Sequence, residues 1–129
     1  LIDKFTLLQA AQIASVPTFL QKAAETALQV EVTGMAAVYR KRREYVLARL
    51  DQMGLPYPTP RGAFYVFPEI SKFGMDSETF CIRLIEEGGL AAVPGSCFGG
   101  EGHIRLSYCY SDEELRESLD RLEKFISTL

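Results

Sequence analysis

The chain is poor in the residues from which self-contained catalytic and metal sites are usually built. It has one histidine, His103, and three cysteines, Cys81, Cys97 and Cys109, with no Cys-x-x-Cys pair. An odd, scattered set of thiols is no disulfide framework, and with a single imidazole it excludes a metal site. It points to a reducing, cytoplasmic setting. Basic residues are not in excess: 14 Lys and Arg stand against 17 Asp and Glu, a net charge of -3. That argues against a nucleic-acid footprint, although one well-placed Arg suffices for a small anion. No run is long and apolar enough to span a bilayer. The first four residues carry an acid and no basic leader, and the first is not Met, which reads as a fragment of a longer protein. There is no Ser-His-Asp set, no paired-carboxylate motif and no phosphate fingerprint.

What is present is an ordinary globular balance, 47% hydrophobic and 24% charged over 129 residues. Residues 1–12 are apolar without a clean period. Ser15-Val16-Pro17 is a helix start, with Ser15 as cap, followed by Phe19, Leu20, Ala23, Ala24, Ala27 and Leu28 at helical spacing. A second helix is expected over 30–53, with Val32, Met35, Ala36, Tyr39, Val46, Leu47 and Leu50 on its apolar stripe and Gly54 as its stop. Pro56-Tyr57-Pro58-Thr59-Pro60 is an extended connector, with room for a short strand near Tyr57.

The aromatic run 63–67 is a strand signal, apolar on both sides, so both faces are expected to be covered. Asp76 or Ser77 opens a third helix, with Phe80, Leu84 and Ile85 inward and Gly88-Gly89 as its end. Residues 90–93 and 104–108 are two further strands, separated by an irregular glycine-rich loop, 95–102. Ser111 and Glu114 form a capping box for a last helix with Leu115, Leu119, Leu122, Ile126 and Leu129 on one face. The order α-β-α-β-β-α makes an α+β fold, a small sheet with helices packed on one face.

Arg105 is the residue that stands out. Alternation puts His103, Arg105 and Ser107 on one face of their strand and Ile104, Leu106 and Tyr108 on the other. An Arg inside a short strand beside a glycine-rich loop is a candidate receptor for a carboxylate, which its planar fork matches through two parallel hydrogen bonds. The plainer alternative is an exposed Arg paired with a surface acid. The loop 95–102 is not a P-loop, since no Lys-Ser/Thr pair closes it, and on pattern alone it is a connector. Cys97 reads as structural. Arg40-Lys41-Arg42-Arg43 is the one basic run, and on a helix its members point in different directions.

Four motifs occur in order: Tyr39-Arg40-Lys41-Arg42-Arg43, Pro60-Arg61-Gly62-Ala63-Phe64-Tyr65, Val93-Pro94-Gly95-Ser96-Cys97-Phe98-Gly99 and His103-Ile104-Arg105-Leu106-Ser107-Tyr108. Together they resemble the C-terminal part of pyridoxal-phosphate-dependent class I/II aminotransferases of the aspartate-aminotransferase-like group, fold type I. The weaker segment Gln21-Lys22-Ala23-Ala24-Glu25 is similar to that family too, so the likeness spans nearly the whole chain.

The resemblance implies that residues 1–29 are a remnant of the large-domain or connecting helical segment and 30–129 the small domain. It implies that Arg105 binds the substrate α-carboxylate, with Phe64 and Tyr65 as pocket walls and the loop 95–102 at the site entrance. The parent enzyme would transfer an amino group between an amino acid and a 2-oxo acid, as a homodimer using pyridoxal 5'-phosphate. Lys4, Lys22, Lys41, Lys72 and Lys124 are the only lysines, and none occupies the family's Schiff-base context. No catalytic or cofactor-binding residue is therefore expected here, and the fragment alone is expected to be inactive and to bind no coenzyme. The alternative is a non-catalytic α+β ligand-binding or association domain.

Overall fold

The computed structural model describes residues 1–129, which divide into two units, Leu1–Thr33 and Gly34–Leu129. The first unit holds helices α1 (Ile2–Gln12) and α2 (Thr18–Ala27). No clean period marks residues 1–12, and no apolar stripe runs through them. They form a helix nonetheless, on the intrinsic preference of Leu, Ala, Gln and Lys. Ser15 does not cap α2. Pro17 takes the cap position without a side-chain bond, and Gln21 Nε2 donates to the Val16 carbonyl at 2.7 Å. Neither helix buries a residue.

Helix α3 (Thr33–Gln52), in the second unit from Gly34 onward, ends as its glycine foretold. Gly54 sits at φ 62°; its N–H donates to the Asp51 carbonyl at 3.0 Å and the Leu55 N–H to Leu50 at 3.0 Å. Those two bonds define a Schellman motif, and they turn Leu55 into the core beside Leu50. The apolar stripe of α3 is buried only in its C-terminal half, at Val46 and Leu50; Val32 and Met35 lie exposed. The Pro-rich connector follows without a strand at Tyr57, although the Pro56 carbonyl accepts from the Glu69 N–H at 2.7 Å.

Strands β1 (Tyr65–Val66), β2 (Val93–Pro94) and β3 (Ile104–Ser107) form an antiparallel sheet in the order β1-β3-β2. Tyr65 pairs with Ser107, Val66 with Leu106, Val93 with Arg105 and Pro94 with Ile104. The second strand was expected over 90–93 and is displaced to include Pro94. This is an edge strand, where a residue without an N–H is tolerated.

Helix α4 (Ser77–Gly88) is capped by the Asp76 carboxylate, which accepts from the Thr79 N–H at 2.7 Å. Its buried positions are Ser77, Phe80, Cys81 and Leu84. Ile85, expected inward, is exposed, because the stripe at 77, 80, 81 and 84 leaves it on the rim. Helix α5 (Asp112–Ile126) carries the complete capping box: Ser111 Oγ accepts from the Glu114 N–H at 3.2 Å, and Glu114 Oε2 from the Ser111 N–H at 3.0 Å. Its buried stripe is Leu115, Leu119, Leu122 and Phe125. Phe125 replaces the expected Ile126, and Leu129 is exposed.

The core gathers Val66 and Ile104 from the sheet with apolar residues of α3, α4 and α5. Helices on one face of a small sheet are the α+β arrangement that the sequence pattern implied. The expectation that both faces of β1 would be covered fails. Val66 is buried, whereas Tyr65 and Phe67 are only half-buried, against Arg105 and His103 respectively, and Phe64 is exposed.

Candidate functional site

Strand β3 is central, so its side chains are aimed by pairing on both sides. Ile104 points into the core; Arg105 points to the less covered face, with Tyr65 of β1 beside it. The guanidinium carbon of Arg105 lies 4.4 Å from the Tyr65 ring centre and 4.3 Å from that of Phe98. A guanidinium is weakly hydrated and sits well against aromatic faces. None of the chain's ion pairs includes Arg105, so the plainer alternative, an Arg tied to a surface acid, does not describe it.

Arg105, Tyr65 and Phe64 line one cleft of about 280 Å³ together with Leu90, Ser107, Tyr110 and Leu119. Arg105 is the only charged residue in that lining. Phe64 stands at the rim, 38% exposed, with its ring 4.5 Å from Tyr65 and 6.1 Å from Tyr39. Its backbone is set by Tyr108, whose N–H donates to the Phe64 carbonyl at 2.9 Å and whose hydroxyl donates to Ala63 at 3.0 Å. Ala63 takes φ 59°, a left-handed conformation uncommon for a residue with a Cβ. The structure thus brings the three sequence-derived candidates together.

The loop 95–102 is more ordered than a glycine-rich connector need be. It opens with a 3₁₀ turn, Gly95–Phe98. The Gly95 N–H donates to His103 at 2.8 Å, and the Gly100 N–H to Gly95 at 2.9 Å. A Cβ at Gly95 would strike the Gly100 and His103 carbonyl oxygens, so only glycine allows this approach. The Glu101 carboxylate accepts from the Ser77 N–H at 2.6 Å, the Gly102 N–H at 2.9 Å and Ser77 Oγ–H at 3.1 Å. The Gly102 and Ser77 backbone donors hold it below the usual carboxylate range. His103 stacks on Phe67, ring centres 5.1 Å apart.

Phe98, Glu101 and Ser77 are site-building residues that sequence reasoning missed. The one available signal was a lone acid among four glycines. Cys97 is exposed, as is Cys109, which lies 3.0 Å from Ser107 Oγ, while Cys81 is buried. No cluster of His, Cys, Asp or Glu is suited to a metal.

The profile of the family described as Aminotransferase class I and II matches residues 2–122. The chain belongs to the class I and II aminotransferase family. Among its aminotransferase relatives, it is 41% identical to the aspartate aminotransferase of Pyrococcus abyssi, over 98% of this chain and 34% of that protein. It is 41% identical to aromatic-amino-acid aminotransferase 2 of Thermococcus litoralis, over 97% of this chain and 34% of that protein. The crystal structure of an aromatic aminotransferase from Pyrococcus horikoshii superposes with a TM-score of 0.81 at 39% identity, covering 98% of this chain and 36% of that one. The fold is therefore that of the C-terminal domain of fold type I aminotransferases. The chain spans about a third of the length of the curated aminotransferases named here. No helix is long and apolar enough to cross a membrane.

Proposed function

We propose that this chain supplies the substrate-carboxylate receptor of an aminotransferase, and that Arg105 is that receptor. The observation carrying the reading is an unpaired guanidinium, oriented by aromatic rings, that is the sole charge lining an otherwise uncharged cleft. A fork held in this way grips a carboxylate through two hydrogen bonds and so fixes the neighbouring Cα, a positioning effect. Phe64 and Tyr65 are the pocket walls. The substrates are an amino acid and a 2-oxo acid. In this reading residues 1–29 are a remnant of the connecting segment and 30–129 the small domain of a cytoplasmic, homodimeric enzyme.

Pyridoxal phosphate is implied by the family, and the residues of this chain do not fit it. No lysine lines the Arg105 cleft. Lys22 pairs with Glu25, Lys41 with Asp112, and Lys72 Nζ donates to the Gly54 carbonyl at 2.7 Å. The coenzyme site belongs, in this reading, to the part of the longer protein that these residues do not include.

The test is steady-state kinetics of Arg105→Ala and Arg105→Lys in the longer protein. Removing one partner of a buried charge pair costs about 3–5 kcal/mol, so kcat/KM for amino-acid donors should fall steeply in the alanine variant. The lysine variant should recover little, since an ammonium lacks the fork. Unchanged kinetics would overturn the reading.

A further inference from the structure

The Arg105 guanidinium keeps its place partly through Phe98, and Phe98 is not itself anchored by burial. It is 51% exposed. Its closest aromatic neighbour is Phe67, edge-on at 6.4 Å between ring centres. An exposed ring holds a fixed position over a cation only as far as its backbone is held, because one such contact is weak while an unanchored side chain retains its rotamer freedom.

To the backbone bonds within the loop, one acid adds a tie to α4. Glu101 is the only charged residue of the loop, and its carboxylate turns back to the first residue of α4, Ser77, which is fully buried. Ser77 Oγ in turn accepts from the Ser96 N–H at 3.2 Å, two residues before Phe98. The loop is thereby tied to α4 at both Ser96 and Glu101, on either side of Phe98, and Gly100 closes it onto Gly95.

We infer that Glu101 is a positioning residue for the carboxylate receptor: through Ser77 it latches the loop so that Phe98 lies against the Arg105 guanidinium. A loosened loop leaves the cation free to swing, and a carboxylate then finds a fork of the wrong orientation. The kinetic part of this inference rests on the proposed role of Arg105; the structural part does not. A plainer role for Glu101, as an acid that favours the N-terminus of α4, predicts a loss of stability without any change at Arg105.

The experiment reads the side-chain Nε–Hε signal of Arg105 by NMR in this chain, where the Tyr65 and Phe98 rings displace it through their ring currents. Phe98→Leu fixes the part of the displacement due to that ring. Glu101→Gln is expected to lose the same part and to add nothing to Phe98→Leu in the double variant. Should Glu101→Gln fail to fold, Glu101→Asp keeps the charge but draws it back by one methylene, and reads the same latch. A folded Glu101 variant with the Arg105 signal at its original position overturns the inference.

In the longer protein, Glu101→Gln should raise KM for the amino-acid donor about tenfold, with kcat falling less, as a small misplacement of a positioning group does. If the Arg105 signal moves but KM does not, the latch is upheld and the assignment of Arg105 as substrate receptor falls.

Discussion

Phe125 of α5 meets Phe80 of α4 edge to face, with ring centres 5.4 Å apart and planes at 81°. Both rings are buried, and the pair joins α4 to α5. Phe125→Ala should therefore lower the free energy of unfolding by about 3–5 kcal/mol, the cost of truncating a buried Phe. Urea titration checks it: the midpoint should fall with little change in slope. Ile126→Ala, one position along and only partly buried, should cost much less.

The Schellman turn after α3 gives a second prediction. A Cβ at Gly54 would meet only Lys72 Nζ, at 3.7 Å, so space is not the obstacle. The left-handed backbone is, and Gly54→Ala should destabilise by about 1–2 kcal/mol. Thermal unfolding measures it.

The thiols should separate by reactivity. Burial, and secondarily the neighbouring Cys97, push the Cys81 thiol up to about 11. With Cys97 and Cys109 exposed, a thiol reagent at neutral pH should modify those two quickly and Cys81 only after denaturation. The same shift carries a sign in stability. The folded value is raised, so the unfolded chain releases this proton first. The stabilisation from keeping Cys81 neutral is complete below the ordinary value of 9.0 and is lost as pH climbs toward about 11. Cys81→Ala should flatten that alkaline limb.

On the acid side the sign reverses. Glu114 is held below its ordinary value of 4.5 by the Ser111 hydroxyl and N–H. Thr79 does the same for Asp76, whose ordinary value is 3.8. These caps stabilise fully above the ordinary values, and that stability is lost as pH falls through the lower folded ones. Ser111→Ala should cost about 1 kcal/mol near neutrality and make the melting temperature less dependent on pH on the acid limb.

Both caps were legible because they are local: Ser111 to Glu114 and Asp76 to Thr79 each span three residues. The face of Arg105 was legible too, since alternation along a strand is a rule of geometry. Phe98 was not. Its seat against Arg105 depends on a turn folding back over β3, and the tie that holds the turn crosses 24 residues from Ser77 to Glu101. No sequence period reports a bond of that range. Helix α1 is silent for a different reason: it has no apolar stripe, so only the resemblance to a helical segment pointed to it. Ile85 and Ile126 were placed inward because their neighbours at helical spacing are apolar. Cys81 and Phe125 fill those places instead, a choice made by how α4 and α5 meet.

Pro94 has a consequence for how this molecule behaves in a crowd. On the antiparallel ladder, Gly95 donates inward to His103, so the neighbouring residue 94 turns its nitrogen outward, and that nitrogen bears no hydrogen. The rim of the sheet at β2 therefore offers no donor at this point to a stray strand. A two-residue border interrupted in this way is a poor template for amyloid-like stacking, a safeguard written into the same Pro-Gly step that starts the turn toward Phe98.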